Sequence, residues 1–245
     1  MRIADDFGLG REHDRVILDL IERRRLDGTS VMIDGGIAPA DIERLRLLRD
    51  HGAQVGLHLN VTHDFSGKDA HRSIGRLLRT CVSGSMPDEI RYEFQRQTDA
   101  FQTIFGFLPD YYDGHQHCHC LPGLDASAAA LPHMAETWIR VPLPATFSGL
   151  ALNVRAGGPK VLLIAALAAR AARTFRKAGW ATNRDFSGFL RLDNPDQVAR
   201  WLPRLLKATP AEGLVMVHPG SATDPVQCPG HTAECRQIEA TILSA

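Results

Sequence analysis

The chain of 245 residues has no net charge, its 28 Lys and Arg being matched by 28 Asp and Glu. That balance excludes the basic footprint of a nucleic-acid binder and leaves nothing to draw the protein to an anionic membrane. A bilayer-spanning run is also missing. The most apolar stretch, residues 161–169, is closely followed by Arg170, Arg173, Arg176 and Lys177, and falls short of the roughly 20 residues a span requires. It reads as an amphipathic helix packed on its own domain or on a partner, and its arginine flank suggests a homodimer. Cysteines are few: Cys81, Cys118, Cys120, Cys228 and Cys235 form an odd set without a small secreted framework. No charged segment followed by an apolar one opens the chain, so free thiols in a reducing cytoplasm are expected. Internal repeats and Gly/Pro-rich linkers are lacking, which leaves one domain over 1–245. The chain also lacks a Gly-x-Ser-x-Gly elbow and a Walker-type phosphate loop.

What remains is an alternation of short apolar runs with longer helical ones, the signature of a β/α protein. Arg2-Ile3-Ala4 reads as an abbreviated first strand, and residues 11–26 as a helix. Residues 29–33 form the next strand, and a helix capped by Asp41 runs to about Asp50. Residues 54–60 and 138–141 are further strands, and 213–217 a late one that delivers His218. The segment 64–86 reads as loop with short helical turns, and Pro87 to about Phe105 as a helix. Longer helical patterns cover about 158–178 and 197–206. Polar residues gather where strands end: Asp5 and Asp6, His58, His115, His218. Parallel β/α folds collect their chemistry at that end, so these remote positions are expected to converge in one cleft.

The densest chemistry lies in Asp113-Gly114-His115-Gln116-His117-Cys118-His119. Imidazole is a common neutral ligand for divalent metals. On an extended strand, Asp113, His115, His117 and His119 would share one face, so one or two would be ligands and the others would orient them or line a polar cleft. Cys118-His119-Cys120 lacks the second cysteine pair of a structural zinc site. Asp5-Asp6 cannot both point one way from a regular strand: one could hold a cation while the other acts as base. The plainer alternative is an acidic turn ahead of a helix. Gly8 would permit an unusual turn just beyond. A carboxylate with His58 and His115 makes a three-ligand site open to water and substrate. A second carboxylate as base and His218 as acid would complete an apparatus for cleaving an amide or ester.

At these residues the chain resembles the YdjC-like carbohydrate deacetylases, which include chitooligosaccharide and hopanoid-biosynthesis-associated members. The matching pieces, in family order, are residues 4–8 (Ala-Asp-Asp-Phe-Gly), 56–62 (Gly-Leu-His-Leu-Asn-Val-Thr), 113–117 (Asp-Gly-His-Gln-His) and 218–220 (His-Pro-Gly). The resemblance implies a distorted β/α barrel of the polysaccharide-deacetylase type with a divalent metal at its mouth. It implies His58 and His115 as ligands, with Asp5 as base and Asp6 as third ligand by likeness to the wider deacetylase pattern, the reverse order being the alternative. His218 matches the late acid. Arg140 resembles a residue that orients the base, against the alternative of a surface ion pair. Asp113 and His117 are expected to fix the tautomer of His115, with Asn60 and Thr62 bracing the loop after His58. His119 is expected to touch sugar or cap its strand, and His63 to sit in a solvated loop, the alternative being that it reaches the cleft. Trp180 and Phe186 would stack on sugar or pack in the core. His13, His51, His71, His133 and His231 have no supporting context. Magnesium and zinc both suit the ligands, and loops shorter than those of the chitooligosaccharide enzymes leave substrate size open. The expected reaction is removal of an acetyl group from an N-acetylated sugar by metal-activated water. The alternatives are hydrolysis of another amide or ester, or silent binding of metal or carbohydrate.

Overall fold

The computed structural model describes residues 1–65, 73–84, 88–226 and 228–245. Eight strands form one parallel sheet: β1 (Arg2–Phe7), β2 (Gly28–Val31), β3 (Gln54–Leu59), β4 (Tyr111–Gly114), β5 (Trp138–Ile139), β6 (Ala181–Thr182), β7 (Phe186–Ser187) and β8 (Leu214–Val217). Their order across the sheet is β6-β5-β4-β3-β2-β1-β8-β7. The two outermost strands are therefore neighbours in sequence. Thr182 and Phe186 cannot be more than about 14 Å apart along a trans chain, whereas a flat sheet of eight strands would separate its edges by about 34 Å. The sheet must curl until its edges nearly meet. This is the expected distorted β/α barrel, left open along the β6–β7 seam. Asn183, in the link from β6 to β7, is held to the segment just after β5, its side chain accepting from Val141 N (2.7 Å) and donating to Val141 O (3.0 Å).

The helices that dress the curl are α1 (Arg11–Glu22), α2 (Pro39–Asp50), α3 (Ile74–Ser83), α4 (Asp88–Phe105), α5 (Leu124–Ala129), α6 (Phe147–Gly157), α7 (Lys160–Lys177), α8 (Pro195–Ala208) and α9 (Ala233–Ser244). Each turns an apolar face inward, as α1 does with Ile17, Leu18, Leu20 and Ile21. The segment expected to be loop holds α3, a regular helix of 10 residues ended by left-handed Gly84. Residue 38, not Asp41, is the N-cap of α2; Asp41 sits in its first turn. On α7, Val161, Ala165, Ala168, Ala172 and Phe175 pack inward while Leu162 and Leu163 of the apolar run stay half exposed. No described helix is long and apolar enough to cross a membrane.

The first strand is longer than Arg2-Ile3-Ala4, because it continues through both aspartates to Phe7. Its register against β2 shifts between Ala4 and Phe7, and Asp6 takes φ +68°. A bulge of this kind re-aims one side chain. The strand therefore turns both consecutive carboxylates into the barrel mouth, which a regular strand could not do. Gly8 follows at φ +94°, where a Cβ would lie 2.7 Å from Met32 O, so only glycine fits the turn that ends the bulge.

Candidate functional site

Two strands bring the first pair together by register alone. His58 on β3 is the Cα partner of Asp113 on β4, and His58 Nδ1 meets Asp113 Oδ1 at 2.6 Å. Ser30 Oγ on β2 reaches both Asp5 Oδ1 and His58 Nδ1, each at 3.2 Å. With Nδ1 engaged, the other nitrogen of His58 faces Asp6 Oδ1 at 3.2 Å. His115 Nδ1 approaches the same oxygen at 2.9 Å. Donor atoms of Asp6, His58 and His115 all lie within 4.8 Å of one another, and all three residues are buried. Arg140, just beyond β5, donates from Nη1 to Asp5 Oδ2 (2.7 Å) and places Nη2 2.8 Å from Asp113 Oδ2.

The charge states follow from this geometry. Burial works against ionisation of Asp6, yet His115 and Arg236 beside it hold its carboxyl well below the usual range. Burial also disfavours a charged His58, but Asp113 lifts it to about 10. Asp113 itself is brought down to about 2, against its burial, by Arg140 and His58. His58 thus lies between the carboxylates of Asp6 and Asp113, a setting that favours positive charge there. Two imidazoles and a carboxylate, with the second nitrogen of His58 fixed by Asp113, are a donor set suited to a divalent cation.

Two other groups of donors among the described residues also lie within 4.8 Å of one another: Asp5 with His58 and Asp113, and Asp6 with Cys228 and His231. Each already contains a guanidinium, Arg140 in the first and Arg236 in the second. Among the described residues, only Asp6, His58 and His115 form a donor group whose centre is left to an external ion.

His218, directly after β8, lines the same cavity as Asp5, His58 and His115. Burial pushes its imidazole down to about 4, against the pull of the Asp6 and Asp5 carboxylates. Its backbone N–H donates to Glu239 on α9, and its ring stands against His231 with centroids 4.8 Å apart. The cavity measures about 310 Å³, and aliphatic groups from α3, α7 and the segment 189–192 form much of its wall.

The run of alternating histidines does not share a face. The strand stops at Gly114, and residues His115–Cys120 form a tight helical turn in which Gln116 and His117 adopt φ +53° and +58°. The imidazoles consequently fan apart. His117 packs against Phe186 and Phe189, and its buried Nδ1 has no hydrogen-bond partner among the described residues. His119 Nε2 meets Arg140 O at 2.8 Å and so caps the end of a strand. The expectation that Asp113 and His117 orient His115 is therefore corrected: Asp113 orients His58, and Asp6 takes the Nδ1 of His115. Asn60 braces the loop after His58 as expected, accepting from Thr62 N and His63 N. His63 is not merely solvated, since its ring lies 6.1 Å from that of His115. Trp180 and Phe186 are core residues, 4% and 1% exposed.

Arg236 escaped the sequence reading, and it is fully buried on α9 with Nη2 2.6 Å from Asp6 Oδ2 and 3.0 Å from His231 Nδ1. Glu239 lies one turn further along the same face. Ser30, Cys228 and His231 were missed as well. Among the histidines set aside, His13 is buried and accepts from Ser221 N, locking α1 to the loop after β8; His51 bonds within its own helix end, His133 tilts over Trp180, and His71 lies outside the described residues.

The profile of a family described as YdjC-like protein matches residues 3–244. A carbohydrate deacetylase of Homo sapiens is 29% identical over 155 residues, covering 57% of this chain and 47% of that protein. A chitooligosaccharide deacetylase of Serratia marcescens is 33% identical over 131 residues, 49% of each. The chain thus spans about half the length of the curated relatives it matches. Among solved structures, a protein of Enterococcus faecalis V583 described as a cellobiose-phosphate cleavage protein aligns over 100% of this chain and 90% of its own, with TM-score 0.66 and 17% identity. That likeness carries the fold.

Proposed function

Since the chain belongs to the YdjC-like family, we propose that it is a metal-dependent hydrolase that removes the acetyl group from an N-acetylated sugar. The observation that carries this reading is the convergence of Asp6, His58 and His115 on one point beside a second carboxylate, Asp5, which Arg140 holds. Relatives named carbohydrate and chitooligosaccharide deacetylases support the reaction class. Asp6, His58 and His115 would hold the ion. When bound, a zinc or magnesium ion supplies Lewis-acid activation of water and of the acetyl carbonyl.

The remaining work falls to the side chains. Asp5, on the same bulge as Asp6, takes the proton of the attacking water, and the Arg140 fork keeps its carboxylate aimed. Asp113 fixes the tautomer of His58. His218 protonates the leaving nitrogen. Being neutral at rest, it does so only after a proton has reached it during turnover. Acetate and a free amine are the products. The five cysteines are free and buried, and the cytoplasm is the compartment we propose.

The test is acetate release from a panel of N-acetylated mono- and oligosaccharides, using metal-stripped protein reloaded with single divalent ions, beside Asp5→Asn. Stoichiometric acetate and amine that require both metal and Asp5 are expected. Metal-loaded protein that binds sugar but releases no acetate would replace the reading with a silent binding protein, and release of a different acid would replace it with another amide or ester hydrolase.

A further inference from the structure

Arg236 lies where the chemistry of its neighbours would place a metal ion. Asp6, Cys228 and His231 offer a carboxylate oxygen, a thiol and an imidazole nitrogen, all within 4.8 Å. This is a donor set for a borderline-soft cation. Arg236 enters it from α9, with Nη2 2.6 Å from Asp6 Oδ2 and 3.0 Å from His231 Nδ1. Arg236 is 1% exposed, and its Nη1 has no hydrogen-bond partner among the described residues. Desolvating a charge this fully is costly unless a counter-charge holds it; here Asp6 is that counter-charge.

Asp6 belongs to both donor sets. Its Oδ1 faces His58 and His115, while its Oδ2 faces Arg236 and His231. A carboxylate divided in this way between two cation positions is the bridging ligand of a two-metal site, where ions sit about 3.5–4 Å apart. Cys228 Sγ also lies 4.0 Å from His115 Nε2, at the border of the two sets. In this chain the second position carries one covalently supplied positive charge in place of an ion.

We infer that Arg236 is a positioning residue that occupies a latent second metal site, keeping the centre mononuclear and reserving Asp6 Oδ2 so that only Oδ1 serves the ion at His58 and His115. The inference rests on the metal reading proposed above. With Arg236 removed, Asp6, Cys228 and His231 should take a second ion, whose binding displaces the thiol proton.

Cobalt(II) reports on both parts, because its visible bands follow coordination number and a coordinated thiolate adds an intense near-ultraviolet charge-transfer band. Wild-type protein titrated with cobalt(II) is expected to bind one equivalent with no thiolate band. Arg236→Met is expected to bind two, with the band present, and Arg236→Met/Cys228→Ser to lose the band. One equivalent without a band in folded Arg236→Met overturns the inference while leaving the metal reading intact. A wild-type protein that binds no divalent ion overturns the metal reading itself. Should Arg236→Met fail to fold, Cys228→Ser in the otherwise unaltered protein decides: unchanged stoichiometry and cobalt spectrum are expected, and a changed spectrum or a thiolate band in wild type overturns the inference.

Discussion

The guanidinium of Arg140 donates to Asp5 across 2.7 Å, and both side chains are buried. The same fork touches Asp113, which in turn grips His58. One buried cation therefore ties the proposed base to the residue that orients a proposed metal ligand.

Asp5→Asn separates chemistry from metal binding. Asp5 stands outside the set of Asp6, His58 and His115, so the variant should bind metal with nearly unchanged affinity. Loss of the base should lower kcat by about 10²- to 10⁴-fold. Metal titration beside acetate release checks it. A parallel collapse of metal affinity would move Asp5 into the ligand set.

Asp113→Asn acts one step further out. The amide still fills the space but no longer fixes the tautomer of His58 with a charge, and outer partners of this kind are worth about 10- to 100-fold in metal affinity. The loss should therefore appear as a raised metal dissociation constant, with activity restored at high metal. Activity that stays low at saturating metal would give Asp113 a direct part in the reaction.

Much of this was legible in the sequence because the chemistry sits at strand ends, where motif letters and fold position coincide. Asp5, Asp6, His58, His115 and His218 converge for that reason. The direction of each side chain was less accessible. A period-two reading of residues 113–119 presumes a strand, and the tight turn at His115 with two left-handed residues breaks that period. The bulge at Asp6 likewise defeats the rule that adjacent side chains point apart. Arg236 and Glu239 had no signal at all, since an arginine and a glutamate three apart on a C-terminal helix look like a solvated pair. Only the tertiary packing of α9 over the barrel mouth reveals their burial.

Chelation should loosen the whole domain. An ion that binds the folded site but not the unfolded chain adds about 2.7 kcal/mol at a concentration 100 times its dissociation constant. For a chain of this length that is a rise in Tm of roughly 5–10 °C. Metal-stripped and metal-loaded protein compared by calorimetry should differ by about this amount, and His58→Ala should abolish the difference. Equal melting curves would speak against a site formed by folding.

Asp14 on α1 places a pH dependence in a part of the fold that serves the site only indirectly. Its Oδ1 accepts the backbone N–H of Gly8 at 2.7 Å, fixing the turn that closes the Asp5-Asp6 bulge. Burial raises its carboxyl from 3.8 to about 7, opposed by the Gly8 N–H and reinforced by Asp41 and Asp224. A carboxyl with a raised pKa is protonated in the folded state while the unfolded chain has already lost the proton. Stability from this group is thus complete below about pH 4 and declines as pH rises to about 7, by roughly 1.4 kcal/mol per unit. Asparagine offers the same acceptor without titrating. Urea unfolding between about pH 4.5 and pH 8 should show the stability of Asp14→Asn climbing relative to wild type across that window and levelling above it. Parallel curves would mean that Asp14 ionises as easily in the folded protein as in the unfolded one, and that the turn after Asp6 is open to water.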